Sequence, residues 1–181
     1  MATDLGGYLF NNCTKLSSIS LPSVVGISTY AFKNCYGITK ISLPSLLELG
    51  KGTFHSCSNL VSIAIPSATN ILEYSFAYCK SLSSIDFGNG LPCVARRGNS
   101  AFTKGTTSCV IVTPDSLYDA WIADESWASL VPNGFRFMRH REWEFDSSSG
   151  VNVASPNGVK EYIEFRVNEI LQTQYGLTPI Q

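Results

Sequence analysis

A 22-residue repeat is the feature that most constrains how this 181-residue chain can fold. One phenylalanine, one cysteine and several aliphatic residues recur at that spacing through the first half of the chain. The phenylalanines are Phe10, Phe32, Phe54 and Phe76, and the cysteines are Cys13, Cys35, Cys57 and Cys79. A unit of this length cannot bury its own apolar face, so successive units must stack on each other.

Each repeat contains a segment that predicts a β-strand. In the first repeat Ile19 and Leu21 alternate with Ser18 and Ser20, a period of two residues, and Pro22 then ends the strand. The other arm of the repeat, in which Phe and Cys lie three residues apart, predicts a short turn or 3₁₀ element. Each coil should therefore hold one strand and one irregular return arm, and the stacked strands should form a parallel sheet.

The regular spacing breaks after the fourth repeat. The next repeat phenylalanine is Phe102, four residues later than a strict period predicts, and an insertion at residues 96–99 accounts for the difference. Val110 and Val112 then alternate as a fifth strand would, and Pro114 ends that segment. The sequence therefore predicts a fifth, less regular coil.

A helical period replaces the repeat beyond Pro114 and predicts a helix up to residue 131. Thr113 is the expected N-cap, and Pro114 suits the first helical position. The apolar residues that share one helical face are Leu117, Ala120, Trp121, Trp127, Ala128 and Val131. Because an open array exposes its last hydrophobic layer, we expect this helix and its two tryptophans to cap the array.

Composition and periodicity together predict four segments along the chain. These are a repeat array at 1–114, the capping helix with a closing strand or hairpin at 115–145, a linker at 146–158 and a helical tail at 159–181. The linker is rich in Ser, Asn and Gly. The tail has a short heptad seam, which could pack on the domain, begin a coiled coil or belong to a truncated neighbour, at Ile163, Val167, Ile170 and Gln174.

The repeat resembles a known family through two motifs. These are Tyr30-Ala31-Phe32-Lys33-Asn34-Cys35 and Ile41-Ser42-Leu43-Pro44, with equivalents in the other repeats. The pattern resembles the BspA-like leucine-rich repeats of surface proteins from host-associated bacteria, over about residues 4–114. The segment from Pro114 to Trp121, with Trp127 beyond it, resembles the segment that often follows such arrays.

The resemblance implies both a fold and a class of function. The fold is an α/β leucine-rich-repeat solenoid of about five coils with a parallel strand face, capped by a C-terminal helix. Commoner leucine-rich repeats place Asn or Cys three residues after the strand, whereas Val24 lies there in this chain and the cysteine precedes the strand. That difference favours the BspA-like subclass, whose members are associated with adhesion at bacterial surfaces.

The cysteines are predicted to be structural. Four of them occupy equivalent positions in successive coils, so they should form an inward ladder of buried, free thiols. Neighbouring Cβ vectors in such a ladder are nearly parallel, which is poor disulfide geometry. Cys93 and Cys109, in the irregular coil, are the better pair if any bridge forms.

The sequence contains no pattern that indicates catalysis. Its histidines are His55 and His140, and His55 occupies a variable position of the return arm where we expect solvent exposure. No Gly-x-Ser-x-Gly nucleophile elbow and no Cys-x-x-Cys pair is present. The chain is therefore predicted not to be an enzyme, with no catalytic residues, no metal ligands and no cofactor.

The candidate binding surface is the outward side of the predicted strands. Its small polar side chains should form one continuous, shallow, concave face, which suits a macromolecular partner better than a small molecule. The residues are Ser18, Ser20, Lys40, Ser42, Ser62, Ala64, Ser84 and Asp86. A net charge of −1 argues against nucleic acid as the partner, and the lack of a long apolar run argues against membrane insertion.

Two functions remain open. The first is a non-enzymatic binding or adhesion module that presents the repeat surface to a host or bacterial protein or glycan, outside the cell or at the bacterial surface. The alternative is a structural spacer or assembly segment of a larger fibre, such as a phage tail protein in a virion. The chain starts within a repeat and has no export signal, so we expect a fragment of a longer protein, as a monomer or weak end-on dimer through Leu5 or Leu9.

Overall fold

The repeats form two parallel sheets, one on each side of a common core. A computed structural model describes residues 3–88, 94–95, 98–103, 105, 109–139, 143–146 and 151–154. The first sheet contains β1 (Thr3–Leu5), β2 (Val24–Ile27), β4 (Glu48–Leu49), β6 (Asn70–Ile71) and β8 (Val94–Ala95), in that order. The second sheet contains, also in order, β3 (Lys40–Ser42), β5 (Ser62–Ala64), β7 (Ser84–Asp86), β9 (Val110–Thr113) and β10 (Arg136–Arg139).

The register of the second sheet follows the sequence repeat. Ile41 lies opposite Ile63, and Ile63 lies opposite Ile85, each one repeat further along the chain. The next partner of Ile85 is Ile111, which is four residues later than the period alone would place it. The predicted fifth strand and the insertion before it are thus confirmed.

The prediction of one strand per coil is wrong, because most coils contribute a strand to each sheet. The additional strands include β4 and β6, which are two residues long. A strand of two residues has no alternation that can be recognised in a sequence, although its inward residue is part of the repeat. In β4 and β6 these residues are Leu49 and Ile71, at the repeat position that Leu5 and Ile27 occupy in β1 and β2.

The strand predicted in the first coil is also absent, since the described second sheet begins at β3. Ser18 and Ser20 therefore lie outside the strands. The apolar residues beside them, Leu16, Ile19 and Leu21, are only partly buried against the core. Less apolar burial is available at this end of the array to hold the segment in a sheet.

The core is a stack of phenylalanine rings that runs along the array. Successive ring centroids are 5.0, 5.4, 6.0 and 5.4 Å apart, and neighbouring rings are within 15° of parallel. The rings belong to Phe10, Phe32, Phe54, Phe76 and Phe102. Because Phe102 continues the stack on Phe76, it is the repeat phenylalanine of the fifth coil.

The return arms are hydrogen-bonded turns, as predicted, and they contain residues with left-handed backbone geometry. The φ angles lie between 55° and 63° at two positions per coil: Tyr8 and Asn12, Tyr30 and Asn34, Gly52 and Ser56, Tyr74 and Tyr78. Successive arms are joined by backbone hydrogen bonds; the Phe32 amide, for example, donates to the Thr53 carbonyl at 2.9 Å. The arms therefore form a third side of the array, with its own regular spacing.

The helix predicted up to residue 131 is divided into short pieces. A 3₁₀ turn at Asp115–Leu117 leads into α1 (Tyr118–Ala123), and α2 (Glu125–Ala128) is followed by a second 3₁₀ turn at Val131–Asn133. The break occurs because the Asp124 carboxylate accepts hydrogen bonds from the amides of Ser126 at 2.9 Å and Trp127 at 3.1 Å. Asp124 is thus the N-cap of α2.

The expected N-cap and part of the expected apolar face are wrong. Thr113 belongs to β9, and its hydroxyl donates to the Met138 carbonyl at 3.3 Å instead of capping a helix. Ala120 and Val131 are exposed, whereas Leu130 is buried. The break at Asp124 changes the direction of the chain, so a single helical period does not describe which residues face the core.

The predicted cap is confirmed at its two tryptophans, which are completely buried. Phe87 lies 4.5 Å from the Trp121 ring and 5.3 Å from the Trp127 ring, measured between centroids. Trp127 also contacts Phe102 at 5.9 Å, and Phe135 contacts Phe102 at 5.1 Å. These aromatic side chains cover the last layer of the core.

Beyond the cap, β10 extends the second sheet by pairing in parallel with β9, as a closing strand. An antiparallel hairpin follows, formed by β11 (Trp143–Asp146) and β12 (Val151–Ala154). Strand β12 lies within 146–158, the range predicted as a linker. The boundaries predicted between the four segments of the chain stay predictions. The helical tail at 159–181, Cys93 and His140 lie outside the described residues.

Candidate functional site

The predicted sheet face is accessible only in part. Lys40 and Ser42 are exposed, whereas Ala64 and Asp86 are half-buried. Ser62 and Ser84 are only 9% and 4% exposed, so the prediction of one continuous outward face is wrong at these positions. It is also wrong at Ser18 and Ser20, which are exposed but lie outside the strands.

The closed part of this face lies toward the C-terminal end of the array. In register beside Ser84 and Asp86, the next strand places Val110 and Val112, both of which are buried. The accessible surface is therefore concentrated around β3 and its neighbour β5. We call this part, formed by Lys40, Ser42 and Ala64, the sheet-face site.

A second accessible surface lies on the return arms and consists of aromatic rings. Centroids are 5.5 Å apart for Tyr8 and Tyr30, 6.0 Å for Tyr30 and His55, and 5.2 Å for His55 and Tyr78. These four residues form a continuous row across four coils, here called the aromatic row. His55, predicted to be solvent-exposed, is half-buried within it.

On this surface the third coil carries small side chains at positions where the neighbouring coils carry larger ones. Positions occupied by Tyr30, Asn34 and Tyr36 in the second coil are occupied by Gly52, Ser56 and Ser58 in the third, and by Tyr74, Tyr78 and Lys80 in the fourth. The missing bulk leaves a groove of about 420 Å³ lined by Tyr36, His55, Ser56, Ser58, Tyr78 and Lys80. We call it the third-coil groove.

Lysines border the aromatic surface. Lys33 lies over the Tyr30 ring, with Nζ 5.1 Å from the centroid, and Lys51 lies over the Tyr74 ring at 5.5 Å. Lys51 is also paired with Glu73 at 3.5 Å. Lys80 lines the groove, and none of the residues that line the groove is acidic.

His55 is held in a defined position within the groove. Its Nδ1 and the Ser56 hydroxyl are hydrogen-bonded at 2.8 Å, and the rings of Tyr30 and Tyr78 contact it on either side. Burial, and secondarily the positive charge of Lys33, lowers the pKa of His55 below 6.5. The imidazole is therefore neutral at pH 7, which leaves the charge of the groove to Lys80.

The cysteine ladder is structural, as predicted for three of its members. The thiols of Cys35, Cys57 and Cys79 are buried and in no disulfide, and they donate to the carbonyls of Phe10, Phe32 and Phe54 at 3.1, 3.0 and 3.1 Å. The acceptor comes from the preceding coil in each case. Cys13 is exposed, contrary to the prediction, because it has no such coil in front of it in the structure.

Burial makes these thiols poor nucleophiles. It raises the pKa of Cys35 to about 11 and the pKa of Cys79 to about 12, and it raises the pKa of Cys57 as well. Cys109 is also buried and in no disulfide, and burial raises its pKa too, whereas its predicted partner Cys93 lies outside the described residues. The ladder therefore contributes packing and hydrogen bonds rather than reactivity.

The part of the chain that the structure describes contains neither a metal site nor a membrane-spanning helix. In that part no three His, Cys, Asp or Glu side chains are grouped so that they could hold a metal ion. The helices described are all too short to cross a membrane. The two accessible surfaces are thus the candidate sites that these residues provide.

The aromatic row was not among the candidate sites predicted from the sequence, although part of its signal is present there. The row continues through His55 and Tyr78, which occupy other positions of the repeat, but Tyr8 and Tyr30 occur at the repeat spacing. Their common left-handed geometry, however, places them on the outer side of the turns, and a sequence pattern does not show that. The groove depends in addition on small residues in the third coil that lie between larger residues of the second and fourth coils.

Comparison with protein families supports the repeat assignment. A family model described as BspA type leucine rich repeat region matches residues 2–118 with 6 copies, one more than the five coils expected from the sequence. No curated protein matches the chain, and no solved structure does. The match covers well over half of the chain and coincides with the stacked coils described above, so this protein belongs to the BspA-type leucine-rich repeat family.

Proposed function

We propose that this chain is a non-enzymatic binding or adhesion module that presents its repeat array to a macromolecular partner, either a protein or a glycan. The family suggests a repeat module that acts in binding at a surface. The observation that carries the proposal is the in-register stacking of the coils, which holds equivalent side chains in rows along the array. Such rows present an extended surface without requiring a deep pocket.

The sheet-face site is the first proposed contact surface. Lys40 and Ser42 are exposed there, and Ala64 adds a small half-buried side chain in register with Ser42. Small side chains on a parallel sheet leave a shallow surface, and shallow surfaces bury too little of a small molecule to bind it well. A large partner can contact several coils at once, which favours a macromolecule.

The proposed location follows the family. BspA-type repeats are typical of bacterial surface proteins, so we propose that this chain acts at the bacterial surface or outside the cell, as part of a longer protein. A phage virion is the alternative location. Within the described residues the electrostatic character of a nucleic-acid interface is absent, because the exposed lysines are few and separated.

A matched pair of arginine substitutions tests the sheet-face site. Ser42→Arg places a long, charged side chain on β3, whereas Ser23→Arg places the same side chain on an exposed loop residue outside the site. Binding of the full chain to immobilised mucin and to enzymatically deglycosylated mucin is measured by biolayer interferometry. We expect wild type and Ser23→Arg to bind equally and Ser42→Arg to bind at least tenfold more weakly.

The outcomes separate the possible partners. Loss of binding after deglycosylation indicates a glycan, and retained binding indicates the protein. Equal binding by Ser42→Arg and wild type contradicts the sheet-face site. Failure of the wild-type chain to bind either form of mucin contradicts a role in adhesion to glycoproteins.

A structural role in a fibre is the second candidate, and the state of the first coil favours it. Its apolar residues pack against the core but are only partly buried, and Leu9 is 56% exposed. A second copy of the chain could cover this layer end-on. Sedimentation of wild type and Leu9→Lys tests it: a concentration-dependent assembly lost in Leu9→Lys supports the fibre role, and a monomer at all concentrations excludes end-on assembly.

A further inference from the structure

We propose that the third-coil groove binds an acidic sugar residue, such as a sialic or uronic acid, within a glycan. The groove belongs to the return arms and shares no residue with the sheet-face site. The two proposals can therefore fail independently.

The shape of the groove suits one sugar residue and its neighbour. Its volume of about 420 Å³ lies at the lower end of the range of about 300–1,000 Å³ that is usual for ligand sites. Tyr36 and Tyr78 belong to coils on either side of the third coil, so their backbones are roughly 10 Å apart, which is two strand spacings. A ring-shaped ligand can enter between them because Ser56 and Ser58 are small.

The lining chemistry matches a carbohydrate. Tyr36 and Tyr78 are 40% and 36% exposed, so part of each ring is available to a ligand. The C–H groups on one face of a sugar ring are weakly positive and are attracted to the negative face of an aromatic ring. Ser56 and Ser58 add hydroxyl groups that donate to and accept from the sugar hydroxyls.

The charge of the groove favours an acidic sugar over a neutral one. Lys80 lines the groove and Lys33 lies close enough to affect His55, whereas no acidic residue lines it. Lys51 is paired with Glu73, and neither residue belongs to the lining. A carboxylate on the sugar would therefore meet uncompensated positive charge and could accept a charge-assisted hydrogen bond from Lys80.

The groove is formed before any ligand arrives. The contacts of His55 with Tyr30, Tyr78 and Ser56 hold its floor in place. Backbone hydrogen bonds tie the third arm to the fourth, as between the Ser56 amide and the Ala77 carbonyl at 2.8 Å. A pre-formed site loses less conformational entropy on binding, which matters for a weakly binding monosaccharide unit.

A peptide is the less favoured occupant. Peptides that bind in an extended form add a strand to an unpaired sheet edge, and the groove is lined by turn residues rather than by a strand. The groove also lacks an aliphatic side chain against which an apolar peptide anchor could pack. A tyrosine-sulfated peptide carries the same charge and is therefore included in the test.

The test uses the full chain and ligand-observed saturation-transfer NMR. The probes are 3′-sialyllactose, its neutral counterpart lactose, and a short tyrosine-sulfated peptide. Ser58→Tyr fills the groove with the residue that the second coil carries at the equivalent position, Tyr36. The matched control is Thr14→Tyr, which adds the same side chain at the equivalent exposed position of the first coil.

We expect 3′-sialyllactose to bind with a Kd in the millimolar range and lactose to bind at least tenfold more weakly. Ser58→Tyr should abolish the signal, Thr14→Tyr should preserve it, and Lys80→Gln should weaken binding about tenfold. Equal binding of lactose and 3′-sialyllactose, or unchanged binding by Ser58→Tyr, overturns the proposal. Tighter binding of the sulfated peptide than of either sugar also overturns it, in favour of a peptide site.

Discussion

Replacing Trp127 by alanine tests whether the cap is part of the folding unit of the array. Trp127 is completely buried, and its ring contacts Phe87, Phe102 and Trp121 at centroid distances of 5.3, 5.9 and 5.0 Å. The substitution removes an indole from the layer that closes the core. The neighbouring rings would then line a cavity or become accessible to water.

The expected cost follows from the size of the lost side chain. Truncation of a fully buried tryptophan or phenylalanine to alanine costs about 3–5 kcal/mol of unfolding free energy. With a urea m-value of about 2 kcal/mol per molar, the unfolding midpoint should fall by roughly 2 M. Urea unfolding followed by far-ultraviolet circular dichroism measures this, because the signal reports on the whole array and not on the tryptophan itself.

The control comes from the same helical segment. Ile122 lies in α1 and is 40% exposed, so Ile122→Ala removes apolar surface that the core does not use and should shift the midpoint little. A midpoint for Trp127→Ala within about 0.3 M of wild type would mean a cost below about 1 kcal/mol. The cap would then be a loosely attached segment, and the reasoning about the last layer would be refuted.

Three further changes have expected outcomes. Gly52→Ala should destabilise the chain by about 1–2 kcal/mol, because Gly52 has a φ of 62° and an added Cβ would overlap the Tyr30 ring, whereas Gly6→Ala, with open space around it, should not. Asp124→Ala should lower the free energy of unfolding by about 1 kcal/mol, because it removes the N-cap of α2. Urea titrations measure this loss, and Asp119→Ala, a change at an exposed residue, is the control. Stability should also fall as the pH rises above about 9, since unfolded thiols ionise near 9.0 while burial raises the pKa of Cys79 to about 12. Each buried thiol contributes a slope of about 1.4 kcal/mol per pH unit, so unfolding titrations from pH 8 to 11 under reducing conditions should show a shallower fall in Cys79→Ala than in wild type.

The repeat spacing was sufficient to predict the main features of the array. A period shared by an aromatic ring, a thiol and several aliphatic residues requires that equivalent residues stack, and this correctly predicts the stacked coils and the buried thiols of Cys35, Cys57 and Cys79. The displaced position of Phe102 likewise predicts the insertion before the fifth coil. These predictions succeed because they depend on spacing along the whole chain and not on local preferences.

Predictions that depend on local geometry succeed less well. The two-residue strands β4 and β6 are too short to produce an alternating pattern, so the second sheet is not evident from the sequence. A single helical period extends across Asp124, yet the carboxylate of this residue caps a new helix and redirects the chain. The burial of Ser62 and Ser84 depends on neighbouring elements, which the outward position of a strand residue does not reveal.

The candidate sites are only partly predictable from the sequence, because they too depend on local geometry and on neighbouring coils. Ser42 and Lys40 are exposed on β3 as their alternation predicts. The third-coil groove, by contrast, requires that Ser56 and Ser58 be small where adjacent coils hold large side chains, and that the turns leave those large side chains exposed. Both conditions concern neighbours that lie 22 residues apart, so they become visible only when the coils are compared in three dimensions.

The central claim is that the repeat array, and not the cap, forms the binding surface. It is tested most directly by titrating the ¹⁵N-labelled full chain with a soluble sialylated mucin glycopeptide and mapping the amide chemical-shift changes. The account predicts changes confined to exposed residues of the array between residues 3 and 88, continuous across neighbouring coils at the sheet-face site or the third-coil groove. Shift changes confined to residues 115–139, or none at saturating glycopeptide, would contradict it.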